Sequence, residues 1–254
     1  MLPLLAGIAS AFLVSGGSQR GHSLSPRASF ARSPLMQEPV GASSPQGAAL
    51  IERAREFIHS GSGFYSPADA AMFSEEFVFR GPYIGPLNKV DYIHVMNTFK
   101  IYEAVPDISP NAFGFCIDPT DCNRVWFIVR NSGTITGSIG LGNGLSFPPN
   151  GKKLQGCPET FSITFDSEKK VKLLTVGYVA DRFEGNTQGT GAAVGIFKVA
   201  GLPFPPPGPL YALVTGFSNR VMKRILPDLP KTVSDPEDIP RWWPHSERGT
   251  EGYE

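Results

Sequence analysis

The sequence is short of cysteine and has no surplus of charge, and both shortages narrow what it can be. Its three cysteines, Cys116, Cys122 and Cys157, include no CxxC pair and no Cys/His spacing of the kind that holds structural zinc. No metal site is expected, and no cofactor. An odd number of thiols is not a disulfide framework; Cys116 and Cys122 flank a hairpin turn and either pair or stay as idle thiols, the latter being the expected state. Basic and acidic residues balance at 23 each, for a formal net charge of zero. Such a balance gives no broad basic surface, so nucleic acid is not an expected partner. No internal repeat is visible. The opening apolar run, residues 1–17, is too short for a comfortable membrane span and has no early Lys or Arg.

What is present is a chain of 254 residues with 28 glycines and 24 prolines, the prolines gathered in the leader and after Leu202. That distribution points to one good-sized domain with irregular ends. Residues 1–17 end in small residues, as a signal peptide does, and residues 19–37 carry Arg20, His22, Arg27 and Arg32 among serines, with no acid before Glu38. This is transit-peptide composition. The run Ala9-Ser10-Ala11-Phe12 resembles the signal/transit junction of plastid proteins in algae with secondary plastids. That resemblance implies a plastid destination. The alternative is an ordinary secretory signal with a disordered linker, and a secreted or endomembrane location. Either way residues 1–46 are excluded from the fold.

The body opens with helical signals and then turns to strands. Residues 47–60 predict a helix with Leu50, Phe57 and Ile58 on one side and Glu52, Arg55 and Glu56 on the other. Ser66-Pro67 predicts a short second helix through Phe73, and Asn88 caps a third over 89–102. A short strand, Phe77-Val78-Phe79-Arg80, lies between them. Further strands are predicted over 112–117, 124–131, 134–140, 161–165 and 171–180. The last is apolar enough to sit mid-sheet. Helices followed by antiparallel strands give an α+β domain over 47–202, with N-terminal helices packed on a curved antiparallel sheet.

The order of these signals resembles the SnoaL-like branch of the nuclear transport factor 2-like superfamily, an α+β cone. The residues that carry it are Phe77-Val78-Phe79 with Gly85-Pro86 before a helix, Val105-Pro106-Asp107, Gly133-Thr134-Ile135-Thr136-Gly137, Pro149-Asn150-Gly151-Lys152, and a last strand that ends at Asp181. The resemblance spans about residues 47–201. It implies an apolar pocket between the helices and the concave sheet face, and in SnoaL-like cyclases an acid–base Asp at the position of Asp181. A carboxylate desolvated in such a pocket titrates nearer neutrality and can exchange protons with a carbon acid. By alternation Asp181 shares a face with Val179, Gly177 and Thr175. The expected lining is Tyr83, Tyr92, Trp126, Ile135, Gly177 and Val179.

Two positions depart from the family. Its Gly-Thr-His-Thr-Gly has Ile135 at the centre here, and its Trp on the last strand is Gly177. The first removes a proton partner and the second reshapes the pocket. Two functions follow as expectations. One is a small-molecule pocket enzyme, an isomerase, cyclase or hydrolase that acts on a hydrophobic substrate through Asp181. The other is a non-catalytic module that binds a hydrophobic ligand or pairs with a second copy. The glycine-rich, then apolar stretch 186–197 is expected to fold over the pocket mouth or to pack there. Residues 203–254 read as a proline-rich linker, an amphipathic helix over 210–226 and an extended tail with Trp242-Trp243-Pro244 as an anchor. The helix is expected to dock on the body or to touch a membrane surface.

Overall fold

Capping chemistry sets the helices. The Ser44 hydroxyl accepts the Gly47 N–H at 3.0 Å and Pro45 takes the first helical position, so α1 spans Pro45–Ser60. Its inner stripe of Leu50, Ile51, Ala54, Phe57 and Ile58 is buried. The short second helix contracts to one 3-10 turn, Ala70–Met72, because β1 (Phe73–Arg80) claims the residues that follow. After β2 (Leu87–Asn88), Asn88 accepts the Asp91 N–H at 2.8 Å and opens α2 (Lys89–Phe99). The single helix expected over 89–102 is broken at Lys100, which is left-handed at φ 45°, and α3 (Ile101–Ala104) starts a new direction. The computed structural model describes residues 44–202 and 209–243, all within one unit that spans residues 38–254. Residues 1–43 of the predicted leader, the prolines of 203–208 and Pro244 onward lie outside the described residues, and the last two leader residues, Pro45 and Gln46, open α1 instead.

The strands are β3 (Phe113–Ile117), β4 (Arg124–Val129), β5 (Ser132–Thr134), β6 (Ile139–Gly142), β7 (Leu145–Phe147), β8 (Lys153–Gln155), β9 (Glu159–Phe165) and β10 (Val171–Val179). Six form the main sheet in the order β2-β1-β10-β9-β4-β3. The apolar β10 sits inside that sheet, as its composition predicted. An all-antiparallel sheet is corrected: β1 runs parallel to β10, with Phe79 opposite Leu174. The strand expected over 134–140 also leaves the main sheet. Its residues divide between two small ribbons, β5 with β8 and β6 with β7. The motif 133–137 serves close packing there. A Cβ at Gly137 would stand 2.2 Å from the Glu103 carbonyl oxygen, so only glycine lets the chain lie against α3.

Alternation sorts the sheet into two faces. Val125, Phe127 and Val129 of β4 and Phe161, Ile163 and Phe165 of β9 turn toward the helices and are buried. On the other face Arg124 bonds the Ser162 hydroxyl, and Ser162 shares a hydrogen bond with Thr175 at 2.6 Å. The inner face meets α1 and α2 around Tyr92, whose ring centroid lies 5.0–5.6 Å from those of Phe73, Phe77 and Phe79. After β10, Gly191 leads into α4 (Ala192–Ala200), which is nearly all buried. A last helical run follows: α5 (Pro209–Phe217), a π segment (Ser218–Met222) and α6 (Lys223–Ile225). Residues 226–243 are not simply extended. They return across the body, where Ser234 N–H bonds the Pro86 carbonyl, Trp242 Nε1 bonds the Glu76 carbonyl and Trp243 is buried.

The Tyr92 hydroxyl donates to the Ser62 carbonyl at 2.7 Å inside this core. Tyr92→Phe leaves that buried carbonyl without its phenol, so it is expected to lower unfolding free energy by about 1–3 kcal/mol in urea denaturation with the fold retained. An unchanged midpoint contradicts that role.

Candidate functional site

An apolar concavity lies between α2, the inner face of the sheet and the start of α4. Its walls include Ile58, Phe79, Val95, Met96, Leu174 and Val176, with Tyr83 and the turn at Pro82 on one side and Gly191 to Val194 on another. The cavity between these walls measures only about 50 Å³. The site is therefore a narrow slot. Two phenols reach it besides Tyr83. Tyr92 is already bonded to the Ser62 carbonyl, and Tyr65 donates to Asn131 Oδ1 at 2.7 Å. Burial holds the Tyr92 phenol above its ordinary range.

Of the residues expected here, Tyr83 and Tyr92 line the slot. Trp126 does not. Parity places it on the outer sheet face, where Arg124 stacks over its ring at 4.0 Å and its Nε1 donates to Asp118 at 2.6 Å. Ile135 is fully buried in the core, with no share in the walls. Val179 is half-buried and pairs with Glu159 across the sheet, away from the walls. Gly177 stands just behind them. It is left-handed at φ +80°, and a Cβ there would lie 3.2 Å from that of Ala192 and 3.3 Å from Pro82 Cδ.

Asp181 is also corrected in place. It lies beyond the end of β10, is exposed, and its Oδ1 accepts the Phe183 N–H at 2.9 Å in a local turn. Strict alternation would group residues 175, 177, 179 and 181, but a bulge between Thr175 and Tyr178 breaks it, so that Thr175 pairs with Ser162 and Val179 with Glu159, while the slot is lined by Leu174 and Val176. Thr175 bonds Ser162 on the opposite face.

The buried acid of this region is Glu159, at 1% exposure. Its Oε2 accepts the Ala192 N–H at 2.7 Å, and its Oε1 faces Asn131 Nδ2 at 3.4 Å. Asn131 in turn holds the Tyr65 hydroxyl, so a Tyr–Asn–Glu chain runs behind the slot wall at the start of α4. Desolvation pushes the Glu159 carboxyl up to about 7 against the opposing help of the Ala192 N–H and Asn131. Desolvation, then the nearby Glu159, push the Tyr65 phenol well above its usual value. The sequence carried a signal for Glu159. The apolar alternation of Phe161, Ile163 and Phe165 extends two residues back to it, onto the inner face. Asn131 and Tyr65 carried none, since their meeting is purely tertiary. Among the described residues no group of three or more His, Cys, Asp or Glu is placed to hold a metal ion.

No protein-family model and no curated protein matches the chain. Solved structures do resemble it, at low identity. One, described as a SnoaL-like polyketide cyclase from a Jannaschia species, is 15% identical over 52% of this chain and 87% of its own, with a TM-score of 0.40. A nuclear transport factor 2-like protein from Anabaena variabilis is 14% identical over 55% and 93%, with a TM-score of 0.39. An epoxide hydrolase of the LEH-like type from M. tuberculosis is 11% identical over 68% and 99%, with a TM-score of 0.40. The similarity is one of fold.

An acid that titrates at about 7 when folded, against an ordinary 4.5, binds more protons folded than unfolded between those values. Stability from Glu159 is therefore full below the lower value and falls as pH rises through the upper one. A shift of this size is worth about 3 kcal/mol. Urea midpoints of the wild type are expected to drop between pH 5 and pH 8, and Glu159→Gln is expected to flatten that drop. An equal slope in both proteins contradicts the assignment.

Proposed function

We propose that this chain is a small-molecule pocket protein that holds a thin or flat apolar molecule in the slot. The observation that supports it is the pairing of apolar walls with the Tyr65 and Tyr92 phenols already committed to protein acceptors, which leaves hydrophobic burial and shape as the main means of recognition. A narrow slot favours an unbranched hydrocarbon chain or a planar ring over a bulky polycycle. Because Asp181 faces solvent, the acid–base reading loses its residue, and the non-catalytic binding reading is the better supported of the two.

One observation favours a second reading. Glu159 sits behind Gly191 and Ala192 with a carboxyl raised to about 7, the range in which a general acid or base works. To act, it must give up the Ala192 N–H, so the enzyme reading needs the start of α4 to move.

The binding reading is tested by fluorescence titration with trans-parinaric acid, an unbranched polyene chain, and its displacement by dodecanol. Val95→Phe and Val176→Phe fill the slot from the helix and from the sheet, and each is expected to weaken dodecanol about tenfold or more. Circular dichroism checks that the fold survives the added bulk. Asp181→Asn is expected to bind as the wild type does. Loss of affinity in Asp181→Asn, or none in both filled variants, overturns the reading.

A further inference from the structure

The helical run 209–225 is amphipathic in the wrong sense for a helix that merely packs on a core. One row holds it to the body through polar groups. Tyr211 donates to the Tyr83 carbonyl, and Asn219 exchanges hydrogen bonds with Thr232 at 2.9 and 3.2 Å. Burial pushes the Tyr211 phenol up to about 12, consistent with a seated contact. The residues two positions on form the opposite row, and they are apolar and exposed: Leu213 at 70%, Phe217 at 54%, Val221 at 42% and Ile225 at 68%. Surface helices ordinarily turn the apolar row inward. Here the polar row faces the protein and the apolar row faces outward, in the shape of a surface waiting for a cover.

Charge selects the cover. The sequence has no Asp or Glu from residue 185 to residue 227, while the helical run carries Arg220, Lys223 and Arg224. A second copy pairing through the same segment would bring three more basic residues and no acid to the contact, which disfavours self-pairing. An anionic surface with an apolar interior complements both features. The run cannot cross a bilayer, because its 17 residues rise about 25 Å against a hydrocarbon core of about 30 Å. No helix among the described residues is long and apolar enough to span. We propose that residues 209–225 dock in the plane of an anionic lipid surface, with Leu213, Phe217, Val221 and Ile225 inserted and the basic residues among the headgroups.

The docked helix touches the slot directly, since the residue that Tyr211 holds, Tyr83, is part of the slot wall. Lipid docking therefore brings the slot beside a store of apolar molecules. That consequence rests on the binding function proposed above; the docking itself does not.

Hydrogen–deuterium exchange of the full chain tests it, because it reads the helix separately from the apolar leader. The probe is vesicles of phosphatidylcholine with about a third phosphatidylglycerol. Vesicles are expected to slow exchange across 209–225 about tenfold, less with phosphatidylcholine alone, and not at all in the Leu213→Asp, Phe217→Asp, Ile225→Asp triple variant. Three results overturn the proposal: no protection of 209–225 in the wild type, equal protection in the triple variant, or protection that appears without vesicles as protein concentration rises, which identifies a second copy as the cover. Dodecanol displacement in the triple variant separates the two proposals. Retained ligand affinity with lost vesicle protection supports the docking surface independently of the slot.

Discussion

The contact on which the slot depends is the Glu159 carboxylate against the first N–H of α4. Glu159 opens β9, which lies between β10 and β4 near the middle of the sheet. Gly191 to Val194, at the other end of that bond, make one wall. Burying an acid costs several kcal/mol unless hydrogen bonds repay it. Here a backbone donor with no partner inside its own helix offsets part of that cost, at the helix end where an anion is favoured. That hydrogen bond, and not the desolvation that lifts the carboxyl toward neutrality, ties α4 to the sheet. Gly191 allows the approach, since a Cβ there would lie 2.8 Å from Glu159 Oε2.

The architecture was largely legible because it rests on periodicity. Alternation in β9 and the apolar run of β10 announced a central pair, and Ser44 and Asn88 stand where caps belong. The site was legible only in part. A period of two tells which residues share a face, but not which face meets the helices. Trp126 fell to that ambiguity, and Asp181 to the bulge between Thr175 and Tyr178 and to the end of β10 at Val179. Glu159 is legible only when the alternation of β9 is carried back from Phe161 through Thr160, where the apolar run has already ended. The parallel β1–β10 pair joins residues about a hundred positions apart and leaves no local trace. The break at Lys100 was hidden as well, since apolar residues continue in helical register through it.

Slot and outer helix follow from one division of labour. The inner sheet face, α1 and α2 spend their apolar residues on a core that narrows to the slot, and the polar atoms near it are bonded to one another. The run 209–225 does the reverse, using polar bonds to hold itself in place and leaving its apolar row outward. Tyr83 belongs to both regions, as slot wall and as the acceptor for Tyr211. The departures from the SnoaL-like pattern fit this picture. Ile135 is core rather than a proton partner, and Gly177 is required by backbone geometry where the family carries a Trp.

The central claim is that the apolar slot, and not the neighbourhood of Asp181, receives the ligand. The direct measurement is methyl-labelled NMR with dodecanol, reading intermolecular Overhauser effects. The account predicts contacts from the alkyl chain to the methyls of Val95, Leu174, Val176 and Val194, and none to Val179 or Ala180. Contacts to Val179 and Ala180, with the slot methyls silent, would contradict it.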